Sequence, residues 1–285
     1  MPPRPSGLAS RLATQPPLCR PKKNRAGQPL WDIPPGSHGN KKPAKRKRHQ
    51  ITLTPSRLLL RGRPMPQIIA LAGQKGGSGK STVALNLAAE GLERGLRVLL
   101  VDADPQGTVR TWAAVANEAG NIMPTVVSMG ADLWKPHQLP RISQVFDLVV
   151  IDCPPRHAEI QRAALMAADL VILPCGPSAH DAWALVESVE LIKAAQEARH
   201  GLKAFALVTR AATGTIIAKQ ARGALEQAGL PVLKTEMGFR VAYQESPAAG
   251  LGVTTYAPTS EAADEVRALA DEVLTAKKRG KGRSA

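Results

Sequence analysis

Residues 73–82 read Gly-Gln-Lys-Gly-Gly-Ser-Gly-Lys-Ser-Thr. They fit the phosphate-loop pattern G-x-x-x-x-G-K-[ST], with Gly73, Gly79, Lys80 and Ser81 at its fixed positions. The chemistry of such a loop is electrostatic. Its glycines let backbone N–H groups close around phosphate oxygens, and the helix that follows adds a favourable field at its N-terminus. Lys80 is expected against the β- and γ-phosphates of a nucleotide, and the Ser81 hydroxyl on Mg²⁺. A second lysine, Lys75, stands five residues before the first. One lysine is enough to grip the phosphates, so the second points to a ligand approached from two sides.

Three carboxylates could serve that loop. Asp152 ends the apolar run Leu148-Val-Val-Ile151, the arrangement in which an aspartate holds Mg²⁺, often through a water. Asp102 and Asp104 lie in Val101-Asp-Ala-Asp-Pro-Gln-Gly107. A carboxylate there can orient an attacking water or order the metal shell; for Asp102, bracing the loop instead is the alternative.

These groups need strands and helices to position them. Gln67-Ile-Ile-Ala-Leu-Ala72 before the loop is a short apolar run, as for a buried parallel strand, and Val83, Leu85, Leu87, Ala88 and Leu92 after it recur at helical spacing. Further strands are expected at 97–101, 124–128, 146–151, 170–173, 205–209 and 231–234. Helices are expected at 107–118, 157–168, 179–199, 215–228 and 260–276, the last capped by Ser260. Such alternation implies one doubly wound, mostly parallel α/β sheet with helices on both faces. Ligands bind outside the carboxyl ends of strands in these sheets, where the loop and all three acids fall.

The net charge of +15 is unevenly spread. Residues 1–66 carry +14, residues 67–276 carry −4 and residues 277–285 carry +5. Residues 1–66 also hold 13 of the 24 prolines and the block Lys41-Lys-Pro-Ala-Lys-Arg-Lys-Arg48. The composition predicts a disordered basic extension over 1–65, a folded domain over 66–276 and a basic tail over 277–285. Three readings of the extension stay open: a phosphate-binding arm, a solvated appendage, or a segment upstream of a true start at Met65. Cys19, Cys153 and Cys175 have neither pairing nor metal-ligand spacing. No apolar run is long enough to span a bilayer.

Three segments together resemble a known family. Lys75-Gly-Gly-Ser-Gly-Lys-Ser-Thr82 resembles the deviant Walker A box of the ParA/MinD P-loop ATPases. Asp102-Ala-Asp-Pro-Gln-Gly107 is similar to their second box, and Phe146-Asp-Leu-Val-Val-Ile-Asp-Cys-Pro-Pro155 to their third. The resemblance runs from about Pro66 to Val273 and is greatest to the small ParF-like plasmid partition ATPases. It implies an ATP-dependent homodimer in which Lys75 crosses to the partner's phosphates. The loop Lys75, Gly76, Gly77, Ser78, Gly79, Lys80, Ser81 and Thr82 would bind ATP, with Thr82 on the α-phosphate. Asp104 matches the aspartate associated with hydrolysis, and Asp152 the Walker B position. Ser81, Asp104 and Asp152 would serve Mg²⁺. Thr209 and Arg210 match a region near the base.

The resemblance also implies slow hydrolysis, a ParB-like centromere-binding adaptor, and a cytoplasmic, nucleoid-associated protein that binds non-specific DNA. Arg222 and Arg240 are the candidate DNA contacts, each equally readable as a solvated surface arginine. Positioning of a protein cargo is an alternative. A membrane-cycling, MinD-like cell-division role is disfavoured, because nothing after Leu274 supplies a lipid-inserting apolar face. An iron–sulfur carrier is disfavoured by the cysteines, and a tyrosine kinase by the presence of only Tyr243 and Tyr256.

Overall fold

A computed structural model of the chain describes residues 22–23, 29–30, 65–177, 185–211 and 216–274. It divides at Thr54 into two units. In the first, Lys22–Lys23 pairs antiparallel with Pro29–Leu30. Met65 apart, the remainder of the disordered extension expected over 1–65, and the tail at 277–285, lie outside the described residues.

The second unit is an all-parallel seven-stranded sheet. Its strands are β1 (Gln67–Leu71), β2 (Val98–Asp102), β3 (Thr125–Ser128), β4 (Leu148–Asp152), β5 (Leu170–Cys175), β6 (Lys203–Ala211) and β7 (Met237–Gly238). Their spatial order is β3-β2-β4-β1-β5-β6-β7. The helices are α1 (Lys80–Glu93), α2 (Thr108–Glu118), α3 (Leu139–Ile142), α4 (Ala158–Ala167), α5 (Val186–Ala198), α6 (Ile216–Gln227), α7 (Ala242–Ala248), α8 (Val253–Tyr256) and α9 (Glu261–Val273).

The strands are apolar runs because both faces are covered. Successive residues feed opposite cores. Ile69, Leu71, Leu100 and Val150 pack under α1, α2 and α9. Ala70, Val101, Val149 and Ile151 pack under α4, α5 and α6. The doubly wound fold expected from the alternation is therefore the fold observed, and its sheet is wholly parallel.

Close approach fixes α1 over the sheet. A Cβ on Gly91 would lie 2.8 Å from Leu148 Cδ2, so only glycine lets the helix sit this near β4. Arg94 then ties α1 to α9, bonding Glu90 at 2.8 Å and Asp271 at 2.6 Å. Asn86, buried on α1, accepts from Val253 N at 2.7 Å and donates to Thr82 O at 2.8 Å. Ser260 caps α9 as expected, its hydroxyl accepting from Ala263 N.

Several expected boundaries move. Residues 231–234 do not form a strand: Val232 makes an isolated bridge to Ala206, and the edge strand is Met237–Gly238. The preceding Pro231 lacks an N–H for a ladder. Phe146 precedes β4, because a 3₁₀ turn at Ser143–Val145 delays the strand to Leu148. Residues 179–184 of the helix expected at 179–199 lie outside the described residues, and α5 is seen from Val186. Helices α7 and α8 were not expected; Pro247 within α7 and Gly250 and Gly252 between them read as loop signals. Among the described residues no helix is long and apolar enough to cross a membrane.

Candidate functional site

The loop between β1 and α1 forms where the sequence places it. Gly73, Gly77 and Gly79 have φ of +146°, +72° and +95°, values that side chains rarely tolerate. A Cβ at Gly73 would also press on Leu173 at 3.0 Å. Lys80 opens α1 with its side chain turned inward, only 6% of the residue exposed. Its Nζ donates to the Lys75 carbonyl at 2.8 Å, which leaves further donors for phosphate oxygens. Burial lowers its pKa, opposed by the charges of Asp152 and Asp104.

Asp152 and Asp102 are register partners at the ends of adjacent strands. They behave differently. Asp152 is 0% exposed, and neither carboxylate oxygen reaches hydrogen-bond geometry with a partner. Burial pushes its carboxyl up to about 7; the Ser81 hydroxyl and Lys80 oppose the rise, and Asp102 and Asp104 add to it. A buried carboxylate without partners is costly unless a cation or donor meets it. It fits a divalent metal shared with the Ser81 hydroxyl. Among the described residues no group of three or more His, Cys, Asp or Glu is clustered to bind a metal by itself, so phosphates and waters would complete the shell.

Asp102 takes the bracing role. One oxygen accepts from Asp104 N at 3.2 Å and the other from Arg110 N at 3.0 Å, with Arg110 Nε at 3.5 Å. Asp104 stands on the loop so braced, accepts from Gln106 N at 2.9 Å, and faces the cleft. Burial pushes the Cys153 thiol well up, consistent with a core residue.

A cleft of about 430 Å³ runs from this loop toward the ends of β6 and β7. Residues 76–82 and Asp104 line one part of it, and Thr209, Arg210 and the segment 237–240 line another. Thr209 is buried and its hydroxyl bonds the carbonyls of Ser78 at 2.8 Å and Cys175 at 3.1 Å, so it fastens the loop to β5. Arg210 sits at a φ of +57° and donates to Gly77 O at 2.8 Å. A non-glycine residue in that conformation is uncommon and marks a built position. Lys75 is half-buried and does not line the cleft.

The two candidate DNA arginines are both ion-paired. Arg222 bonds Glu236 at 3.0 Å and Leu233 O at 2.9 Å. Arg240 pairs with Glu261 and, at 2.9 Å, with Glu265.

Gln161 was missed by sequence reasoning. It is fully buried on α4 and donates to Pro154 O at 2.9 Å and Gly73 O at 3.4 Å, linking the segment after Asp152 to the phosphate loop. Its only sequence signal is a polar residue on the apolar face of a helix. Arg110, whose backbone and guanidinium meet Asp102, reads in the sequence only as a cation eight residues after it.

Residues 69–253 match the family described as the CobQ/CobB/MinD/ParA nucleotide binding domain. The chain belongs to that family. Among curated relatives, the maintenance of carboxysome distribution protein A of Halothiobacillus neapolitanus is 33% identical over 210 residues, covering 72% of this chain and 95% of the relative. The chromosome-partitioning ATPase Soj of Thermus thermophilus is also 33% identical, over 72% of this chain and 94% of its own. Of solved structures, an ATP complex of a substituted Cyanothece McdA superposes with a TM-score of 0.61 at 16% identity, covering 74% and 97% of the two chains. MinD from Pyrococcus horikoshii, complexed with Mg-ADP, gives 0.58 at 20% identity over 74% and 97%. The protein is thus a P-loop ATPase of the ParA/MinD family, of the type that serves partition or positioning.

Proposed function

We propose that this ParA-type ATPase binds Mg²⁺-ATP, closes into a sandwich dimer on non-specific DNA, and partitions plasmid or chromosomal DNA. The contrast between its two loop lysines carries the proposal. Lys80 is buried inside its own loop, whereas Lys75 lies off the cleft, beside the exposed Gly76 and Gly77, around which a Cβ would meet nothing within 4 Å. That open side supports a second subunit approaching the loop, with Lys75 reaching its phosphates.

Lys80 and the loop N–H groups would hold the β- and γ-phosphates, and Thr82 the α-phosphate. Ser81 and Asp152 would hold Mg²⁺, which when bound neutralises charge developing on the transferred phosphoryl group. Asp104, displayed toward the cleft, would orient water. Dimer formation is the switch, populated by ATP and reset by hydrolysis that a ParB-like adaptor stimulates. Arg240 would contact DNA after leaving Glu261 and Glu265, with Arg222 as the second candidate.

A second reading, positioning of a protein cargo by the same switch, is favoured by the carboxysome-distribution relative in Halothiobacillus neapolitanus. The test common to both is binding to non-specific duplex DNA with ATP, with ADP and without nucleotide. Binding that needs ATP and is lost in Lys75→Ala supports the dimer switch. Nucleotide-independent binding by the full chain that disappears in a version starting at Met65 refutes it. Co-purification of a DNA-binding adaptor or of a shell-like protein assembly then separates the two cargoes.

A further inference from the structure

The order of strands gives the cleft a direction. Asp152 ends β4 and Asp104 follows β2, both on one side of β1. Carboxylates repel phosphate and attract its metal, so the terminal phosphate and Mg²⁺ belong at that end. The nucleoside must leave toward the other side, where β6 and β7 end.

There the wall is mostly committed. The Thr209 hydroxyl is held by two carbonyls, and Arg210 bonds the Gly77 carbonyl. Met237 is 2% exposed, and the Tyr243 hydroxyl bonds Ala262 O at 3.0 Å and Glu265 at 2.9 Å. Phe239 is different. It lines the cleft, yet 65% of the residue is exposed. A single exposed apolar side chain is ordinary on a protein surface. This one is displayed from a fixed backbone at the end where a flat ligand must lie. Phe239 N donates to Ala211 O at 3.3 Å, and Gly238 N donates to Glu265 at 3.0 Å. The backbone that carries the ring is therefore fixed and needs no ordering of the chain for the ring to act.

We propose that Phe239 stacks on the nucleobase of the bound nucleotide and is the main source of base affinity in this site. The proposal rests on the cleft being the ATP site, as proposed above. Stacking uses the π-face that every base has, so the ring supplies affinity without choosing between purines.

The test measures Mg²⁺-dependent binding of ADP, of a non-hydrolysable ATP analogue and of inorganic tripolyphosphate to the full chain by calorimetry. The proteins compared are the parent, Phe239→Ala and Phe239→Trp. Removing the ring is expected to weaken both nucleotides about tenfold and leave tripolyphosphate unchanged, while tryptophan restores the parental affinity. Equal weakening of nucleotides and tripolyphosphate would mean general damage to the fold and would overturn the proposal. Unchanged nucleotide affinity with loss of ATP-dependent dimers would also overturn it, assigning the ring to an interface. Failure of the parent to bind any nucleotide would refute the ATP site itself, a separate outcome.

Discussion

Replacing Asp152 by asparagine should make the nucleotide-free fold more stable at pH 8. The side chain is wholly buried without a hydrogen-bond partner, and its carboxyl stands at about 7 against an ordinary 3.8. A folded-state value above the unfolded one means that the fold binds this proton more tightly than the unfolded chain does. The carboxyl then costs nothing below about pH 4, costs progressively more as pH rises, and reaches its full penalty above pH 7. At about 1.4 kcal/mol for each pKa unit, that penalty is roughly 4 kcal/mol at pH 8 and nearer 2 at pH 5. Asparagine removes the pH-dependent part. Its amide must also be buried, at a cost that does not vary with pH, so the informative quantity is the change in the gap between variant and parent. Urea unfolding without nucleotide should show that gap shifting by nearly 3 kcal/mol in favour of the parent from pH 8 to pH 5. Mg²⁺-ATP should reverse the order at pH 8, because the parent gains a ligand that the variant holds poorly. A gap that is the same at both pH values would refute the claim that burial raises the Asp152 carboxyl in the fold.

Other substitutions probe separate parts of the molecule. Thr209→Val keeps the shape but removes the hydroxyl shared by Ser78 and Cys175; nucleotide affinity should fall about tenfold, read by calorimetry, with a loss of roughly 1–2 kcal/mol in urea stability. Gly250→Ala forces a Cβ to 2.5 Å from Ala116 Cα at a φ of +67°, and should destabilise by about 3 kcal/mol or more, seen as a lower melting temperature. Lys75→Ala should bind nucleotide as a monomer yet form no ATP-dependent dimer in light scattering. Arg240→Ala should lose ATP-dependent DNA binding in a mobility-shift assay run at saturating nucleotide; unchanged binding would remove it from the DNA surface.

Much of the site was legible because it is local. The glycines, Lys80 and Ser81 fall in one ten-residue segment, and Asp152 announces itself by ending an apolar run. The doubly wound sheet was legible because buried strands and amphipathic helices alternate. What escaped is set by tertiary contact. Asp102 and Asp104 look equivalent in sequence, and only the approach of the Arg110 backbone to Asp102 separates brace from display. Gln161 reads as an ordinary helical residue until α4 carries it beneath the phosphate loop. The segment 231–243 carries mixed signals, because its order comes from Glu265 and Glu272 on a distant helix.

The position of β1 at the centre of the sheet has a consequence for how the chain is made. Its ladder partners are β4 and β5, both synthesised long after the phosphate loop has left the ribosome. No hairpin is available to hold it meanwhile, since every pairing in this sheet is parallel and non-local. Thr209, which fastens the loop, comes later still. A nascent chain that already contains the whole motif therefore has its sequence but not its cradle. Nucleotide can reward folding only near the end of translation, and until then the apolar β1 run depends on chaperones or on speed to escape aggregation.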